Sequence, residues 1–580
     1  MEGAESWESL WERVENNAFD FDSYTKLASM AEAELNLDKV RQVLDKFLEA
    51  FPLLYGYWKR YAEFEWEHGD KEAGTWRQIY ERSVAAVPHS VDIWVYYCGA
   101  AADRIEDAAE VESLFERGVA AVGLDYLSGS LWDKYATVMA RQSPSKAFAV
   151  LRRAVAVPCN KVAELFQKAE GLSSSIVTEE VVSAGELLDL TSRVEAENPG
   201  CSAESLEDAR KQKLMEELSS QFAVTRGEAE KRQRFEDVLK RFYFTVLPVD
   251  DTQLSTWRQY LSFEEAEVEE KNFARLKALY ERCIIPCCFY LEFWIRYSRF
   301  LEMKVGDVEA AREVLTRAAE KFMTKRPGAR LALAQFEEVH GDAGAARQHY
   351  ETIINQIAPT HLESLIKFAN FEKRQGDLSK AIELYTKAVE VSTDAQRPYV
   401  AAHAAQCAAQ ANEADKGREF LEVAKEQGAK SLSFWMAFLS MEATAEEGDV
   451  SESRLFAVAK EAKQNLTEAE GRQIDLFLGE HFAFFSSSSS GVREAEFQRR
   501  YAALEVSALG GAGQKRGRED TEFGGDKAQK VAAGAVASQG MPMGGYGGYP
   551  PPPQQAPMAA YAPPQAQFYG QQQGAYGQGY

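Results

Sequence analysis

Between Trp257 and Asp377 the apolar residues recur at steps of three and four, and the pattern is broken at a fixed interval. In Trp294-Ile-Arg-Tyr297-Ser-Arg-Phe-Leu301 they fall on one face of a helix. Gly-Asp follows at 306/307 and again at 341/342 and 376/377, each pair 35 residues after the last. Glycine suits the left-handed residue that ends a helix, and aspartate suits the N-cap that starts the next. The stretch after the first break, Val308-Glu-Ala-Ala311-Arg-Glu-Val314-Leu315-Thr-Arg-Ala318, is again periodic and rich in helix formers. The predicted unit is a pair of antiparallel helices. Neither helix covers its own apolar face, so a period of this size predicts stacked pairs.

The same pattern runs through most of the chain. Trp257-x-x-Tyr260-x-x-x-Glu264 opens the second half, and Trp294-x-x-Tyr297 follows it. The first half carries Trp58-x-x-Tyr61-x-x-Phe64-Glu65, a Gly69-Asp70 break, Tyr80-Glu81-Arg82 and Pro88. Trp94 comes 36 residues after Trp58, and Trp132 comes 38 after Trp94. Trp58, Tyr61, Glu65, Trp94, Trp132, Trp257, Tyr260, Trp294 and Tyr297 are therefore the expected structural positions, with each Trp buried between the helices of its pair. Periodic aromatics fade over Ala401–Ala411, and Trp435-x-x-Phe438-x-x-x-Glu442 restores them, with Gly448-Asp449 as the turn.

The expected fold is all-α: an α-solenoid of helix-pair repeats in two arrays, 1–170 and 231–505. Period and composition fail together between Gly171 and Gly227, so 171–230 reads as a connector, partly helical or mobile, with helix around 180–195 and 203–221. Lys231, Arg232, Arg234, Lys240 and Arg241 then alternate with Glu228, Glu230, Glu236 and Asp237, which predicts a solvated helix face rather than an RNA site. Arg241-Phe-Tyr-Phe-Thr-Val-Leu-Pro248 reads as an extended entry into the second array. Residues 506–580 turn to Gly, Pro, Gln and Tyr, lack the aliphatics for a core and are expected to be disordered. Lys515, Arg516 and Arg518 near its start form a candidate nuclear-import cluster.

Charge narrows the partners. A net charge of −24 opposes phosphate, so contact with RNA is expected to be mainly indirect and basic protein surfaces suit the chain better. The seven cysteines show no metal-ligand spacing and no Cys-x-x-Cys, and are expected as buried thiols. No run of 18 apolar residues occurs, and Met1-Glu-Gly-Ala-Glu lacks the features of a signal peptide, so the expectation is a soluble protein made in the cytosol, with no membrane partner. Phosphate-binding, zinc-hydrolase and serine-hydrolase motifs are missing, and the seven histidines are dispersed. Neither an enzyme nor a cofactor or metal is expected.

The Trp-x-x-Tyr-x-x-x-Glu helix followed by Tyr-Glu-Arg and a closing Pro resembles the half-a-tetratricopeptide (HAT) repeat. Tyr80-Glu81-Arg82…Pro88 and Tyr280-Glu281-Arg282…Pro286 are its sharpest copies. A standard tetratricopeptide wants Leu-Gly after its Trp, where this chain has Arg60-Tyr61 and Arg296-Tyr297. Phe51-Pro-Leu-Leu-Tyr-Gly-Tyr-Trp-Lys-Arg-Tyr61, Ala86-Val-Pro-His-Ser-Val-Asp-Ile-Trp94 and Val122–Tyr135 are similar to the pre-mRNA-processing factor thirty-nine family, as is Arg241-Phe-Tyr-Phe with Pro248. The resemblance covers most of residues 20–400. It implies a nuclear, non-catalytic scaffold of splicing, in or on the U-one small nuclear ribonucleoprotein that recognises the 5′ splice site. It also implies pairing through the C-terminal repeats, as a homodimer or with a paralogue. Phe434, Trp435, Phe438, Phe477, Phe482, Phe484, Phe485, Phe497 and Tyr501 are the candidate dimer surface, against a competing reading in which they fill their own helix pairs. A HAT scaffold of pre-mRNA 3′-end cleavage and a tetratricopeptide-like chaperone adaptor are the alternatives.

Overall fold

The computed structural model describes residues 5–197, 202–266, 269–445 and 449–484, and every regular element in them is helical. The first array stacks antiparallel pairs: Phe21–Ala33 with Leu37–Ala50, Tyr55–His68 with Thr75–Ala86, Val91–Arg104 with Ala108–Val122, and Gly129–Ala140 with Pro144–Val155. In the second, Asp251–Ala266 pairs with Phe273–Cys287, and the helix starting at Leu291 pairs with that starting at Val308. Pairs starting at Pro327, Leu362, Arg397 and Leu432 follow, and Glu468–Phe484 closes the described chain. The solenoid reading holds. Residues of both arrays fall in one compact unit.

The Gly-Asp breaks act as their chemistry dictates. Gly306, Gly341 and Gly376 sit at φ +78°, +86° and +88°, where a side chain would be strained. Asp307, Asp342 and Asp377 each accept from the backbone N–H three residues on, at 3.0, 2.8 and 2.9 Å. Gly69 differs. It is extended at φ −95°, and the left-handed residue of that turn is Gly74 at +66°. What Gly69 provides is clearance, because a Cβ there would meet Glu65 Oε2 at 2.6 Å.

Aromatic rings bind each pair to the next. The second-helix ring of one pair stacks on the first-helix ring of its successor: Tyr80 on Tyr97 at 5.0 Å, Phe115 on Tyr135 at 4.9 Å, Tyr280 on Tyr297 at 4.8 Å and Tyr350 on Phe368 at 5.1 Å. Where aromatics fade, small residues take over. Ala401, Ala404, Ala405, Cys407 and Ala408 are buried, and Gly417 on the facing helix comes so close that a Cβ would lie 3.3 Å from the Ala405 carbonyl oxygen. The weak signal over 401–411 thus marks close packing in an intact repeat. Six cysteines are buried free thiols, and Cys201 lies outside the described residues.

The connector is more regular than its composition suggests. Ala184–Glu197 is followed by one helix of 34 residues, Ala203–Glu236. Just past its middle it packs Phe222 on Phe166 of the first array at 4.3 Å, and its end packs Phe235 on Tyr260 of the second at 4.8 Å. The line drawn between 230 and 231 therefore falls inside a continuous helix. The segment 237–250 that follows is non-helical and carries Phe244 between Phe51 (6.2 Å) and Phe289 (5.7 Å). Gly448 and the tail 506–580 lie outside the described residues.

Trp294 is fully buried. Trp294→Ala is expected to lower stability by about 3–5 kcal/mol, whereas Trp294→Phe should cost roughly 1–2 kcal/mol by keeping most of the packing. Chemical denaturation of the two variants checks this, and equal losses would contradict the assigned packing.

Candidate interaction surface

The indoles of five repeat Trp residues reach back to the turn closing the previous pair. Trp58 Nε1 donates to the Pro52 carbonyl (2.9 Å), Trp94 to Pro88 (2.8 Å), Trp294 to Cys288 (2.9 Å) and Trp435 to Ala429 (2.8 Å). In each case the acceptor lies six residues upstream. Trp132 does the same to Gly123 at 3.0 Å, nine residues back because the turn Tyr126–Ser128 intervenes. Trp257 has no acceptor among the described residues, since segment 237–250 precedes it in place of a closing helix end. The indoles are therefore couplers between repeats as well as core filler.

Over five of these rings lies an arginine from the second helix of the same pair: Arg82 over Trp58, Arg117 over Trp94, Arg153 over Trp132, Arg282 over Trp257 and Arg317 over Trp294, all within 5.2–5.7 Å. The same guanidinium pairs with an acid one repeat earlier. Arg82 reaches Asp45 (2.7 Å), and Arg117 bonds both oxygens of Glu81 (2.8 Å each). Arg153 bonds Glu116 (2.5 and 2.9 Å) and Arg317 bonds Glu281 (3.1 and 2.7 Å). Sequence separations are 36 or 37 throughout. Tyr97 and Tyr135 donate to the same carboxylates, each at 2.6 Å. The Arg117 bonds chiefly, and Tyr97 after them, hold the Glu81 carboxyl below the ordinary range despite partial burial, and Arg153 does so for Glu116.

A second ladder runs through the first helices. The buried Glu65, Glu337, Glu372 and Glu442 pair with Arg41 (2.5 Å), Arg312 (2.8 Å), Arg347 (2.6 Å) and Arg418 (2.8 Å) of the preceding helix. A buried carboxylate without such a partner would be costly. The Glu of the repeat signature is therefore a register pin.

Both ladders cross the connector. At the end of the 34-residue helix, Arg232 pairs with Glu264, donating through Nη2 at 3.1 Å, in the place where Arg41 pairs with Glu65. Phe235 stacks on Tyr260 as Tyr80 stacks on Tyr97, and Glu236 takes the position of Glu81. Arg282 then bonds Glu236, and at 3.1 Å it also bonds Asp125 of the first array, 157 residues away. All three side chains are about 5 % exposed or less. Burial alone would lower the Arg282 guanidinium's pKa, but Asp125 and Glu236 hold it above the ordinary value. Asp125 also accepts the Leu127 N–H at 2.8 Å, which fixes its carboxylate. Arg282 is the clasp between the arrays.

All nine expected repeat positions are buried: Trp58, Tyr61, Glu65, Trp94, Trp132, Trp257, Tyr260, Trp294 and Tyr297. The basic cluster is not a solvated face as a whole. Arg232 is 1 % exposed because Glu264 and Glu228 neutralise it, and Arg241 folds back to donate to the Thr245, Leu247 and Pro248 carbonyls. Lys231 pairs with Glu228 at 2.7 Å. Arg234 instead lines an open groove of about 640 Å³ between the long helix and Asp251–Ala266. Of the aromatics considered for a dimer surface, Phe434, Trp435 and Phe438 are buried, with Phe434 packed where a Cβ on Gly428, at the end of the preceding pair, would fall. Phe477 is half-buried, and Phe482 and Phe484 lie in the last described helix. Phe485, Phe497, Tyr501, Lys515, Arg516 and Arg518 lie outside the described residues. Of the clasp residues, Arg282 stands in the sequence as part of the Tyr280-Glu281-Arg282 signature and Glu236 as one of the acids among the basic cluster, but nothing in the sequence joins them to each other or to Asp125. Arg232-x-x-Phe235-Glu236 repeats the spacing of Arg77-x-x-Tyr80-Glu81 and could have revealed two of the bonded positions, whereas Asp125 carries no comparable signal.

Residues 8–170 match the family described as PRP39 N-terminal HAT repeat, and residues 230–374 match PRP39 C-terminal HAT repeat. The Schizosaccharomyces pombe protein named Pre-mRNA-processing factor 39 is 33% identical over 415 residues, 65% of this chain and 65% of that one. Its Homo sapiens namesake is 28% identical over 411 residues, 66% of this chain and 60% of that one. The aligned stretch thus spans less than two thirds of either relative. A more distant Mus musculus protein, Spliceosome associated factor 3, U4/U6 recycling protein, is 23% identical over 317 residues, 52% of this chain and 28% of that one.

Arg282 and Arg117 occupy one pattern position in opposite environments, since the Arg117 and Glu81 side chains are 49% and 39% exposed. Arg282→Ala is expected to cost about 3–5 kcal/mol, by stranding Asp125 and Glu236, and Arg117→Ala about 1 kcal/mol. Denaturation midpoints compare them, and an Arg282→Ala loss no larger than that of Arg117→Ala would remove the clasp from the account.

Proposed function

The chain belongs to the PRP39 HAT-repeat family, and on that premise we propose that it is a non-catalytic protein scaffold of pre-mRNA splicing, working in the nucleus in or on the U-one small nuclear ribonucleoprotein at 5′ splice-site recognition. The observation that carries this reading is the coincidence of family and geometry. The second family match begins at residue 230, two residues before Arg232 carries the ion-pair ladder into the second array. Both matched families are repeat arrays, and a continuous spine of ring stacks and ion pairs is what a spacer between partner proteins requires.

The acidic chain favours contact through basic proteins of the particle over direct contact with RNA. A tagged protein recovered from nuclear extract is expected to enrich U-one small nuclear RNA strongly over U-four and U-six, and to lose it once the particle's proteins are digested. Equal enrichment of U-four and U-six would overturn the assignment to this particle.

The pairing of two copies, or of this chain with a paralogue, belongs to the same reading, and its surface is the end of the second array. With Phe434, Trp435 and Phe438 buried inside the array, the apolar groups left on that end include Val423 and Leu476, 55% and 47% exposed. Sedimentation of the full chain is expected to give twice the 64.8 kDa monomer mass, and Leu476→Glu should shift it toward the monomer. A monomer at micromolar concentration without a paralogue would leave only the heteromeric form.

A further inference from the structure

The groove between the long helix and Asp251–Ala266 is lined by Arg234, Phe235, Val238, Thr256, Arg258, Gln259, Ser262 and Phe263, none of them acidic. Its polar groups are mostly committed. Arg258 gives both arms to Glu292, at 2.9 and 2.6 Å. The Thr256 and Ser262 hydroxyls donate to the Thr252 and Arg258 carbonyls, each at 2.8 Å, and the Gln259 amide donates to Ser255 at 3.2 Å. Arg234 is the exception. It is exposed and has no hydrogen bond or ion pair among the described residues. Two rings hold it in place, with Phe235 and Phe263 centroids 4.6 and 5.1 Å from its guanidinium carbon.

From this we infer that the groove is a docking site for an acidic peptide segment of a partner protein, with a carboxylate on Arg234 and a neighbouring apolar side chain against Phe263 and Val238. An arginine fixed on aromatic rings is already ordered, and its planar fork matches a carboxylate in two parallel hydrogen bonds. In a chain of net charge −24, an uncommitted cation in a groove without acids is the local complement of an acidic ligand. The volume suits a few side chains and lies in the range of small binding sites. RNA fits less well, because one free cation offers little phosphate neutralisation and Arg234 already covers Phe263. The inference does not depend on which ribonucleoprotein the chain serves.

The test uses the full chain and a phage-displayed library of random dodecapeptides, counter-selected on Arg234→Glu protein. Clones kept by the wild type and lost on Arg234→Glu are expected to carry Asp or Glu beside an apolar residue. Measured by fluorescence anisotropy, the binding of such a peptide should weaken by about tenfold or more with Arg234→Glu. It should weaken similarly when the peptide's own acid is changed to its amide, a control that leaves the protein untouched. Arg234→Lys, which keeps the charge and loses the fork, should fall between. Recovery of no acidic clones, binding insensitive to the acid-to-amide change, or displacement of the peptide by an equal concentration of a ten-nucleotide oligouridylate would overturn the inference.

Discussion

The first array and the start of the second depend on one recurring contact: in five pairs the second helix lays an arginine over the pair's own tryptophan and extends it to an acid one repeat earlier. Helix pairs alone would stack with some freedom to slide, because apolar faces are forgiving of register. A guanidinium that must meet both a ring and a carboxylate allows one register. Except at Trp257, the tryptophan it covers is tied in turn to the previous turn by its N–H, so those repeats are fixed to their neighbours at two points. Solenoid stability is a sum over such neighbour interfaces, and a lapse at one would let the array flex there.

The place where a lapse is expected is the connector, and the structure avoids it there. The end of the 34-residue helix supplies Arg232, Phe235 and Glu236 where an ordinary repeat would supply its second helix. Arg282 then takes a further acid, Asp125, from the first array. Burial raises the stakes at this joint. The exposed rungs are individually weak, whereas a buried arginine between two carboxylates is costly to break from either side. The acidity of the chain fits the same picture, since the rungs are close to neutral and the excess negative charge is left elsewhere on the molecule.

Much of the array could be read in the sequence because its signals are local. Trp58, Trp94, Trp257 and Trp294 sit in helical periodicity, and Gly306-Asp307 declares a turn by the chemistry of two residues. In the connector, helix around 180–195 and 203–221 was legible, but not its run on to Glu236, because Ser173-Ser-Ser and Asn198-Pro-Gly200 look like mobile chain and long solvated helices share that polarity. Arg232 looked solvated beside its acidic neighbours, and what buries it is Glu264, which lies 32 residues on. The Phe434 group stood out as a surplus of aromatics near an array end, and its burial depends on packing against Gly428 and the neighbouring helices, which composition does not reveal. Asp125 was invisible for a simpler reason. Its partner is brought to it only by the fold.

The central claim is that the two arrays form one mechanical unit through Arg282. Hydrogen exchange read by mass spectrometry on the full chain, wild type against Arg282→Gln, tests it most directly. The account predicts faster exchange in three places at once: around Asp125, at the end of the long helix near Glu236, and in Phe273–Cys287. Faster exchange confined to Phe273–Cys287 would contradict it, and would make the ladder a set of local contacts without a joint between the arrays.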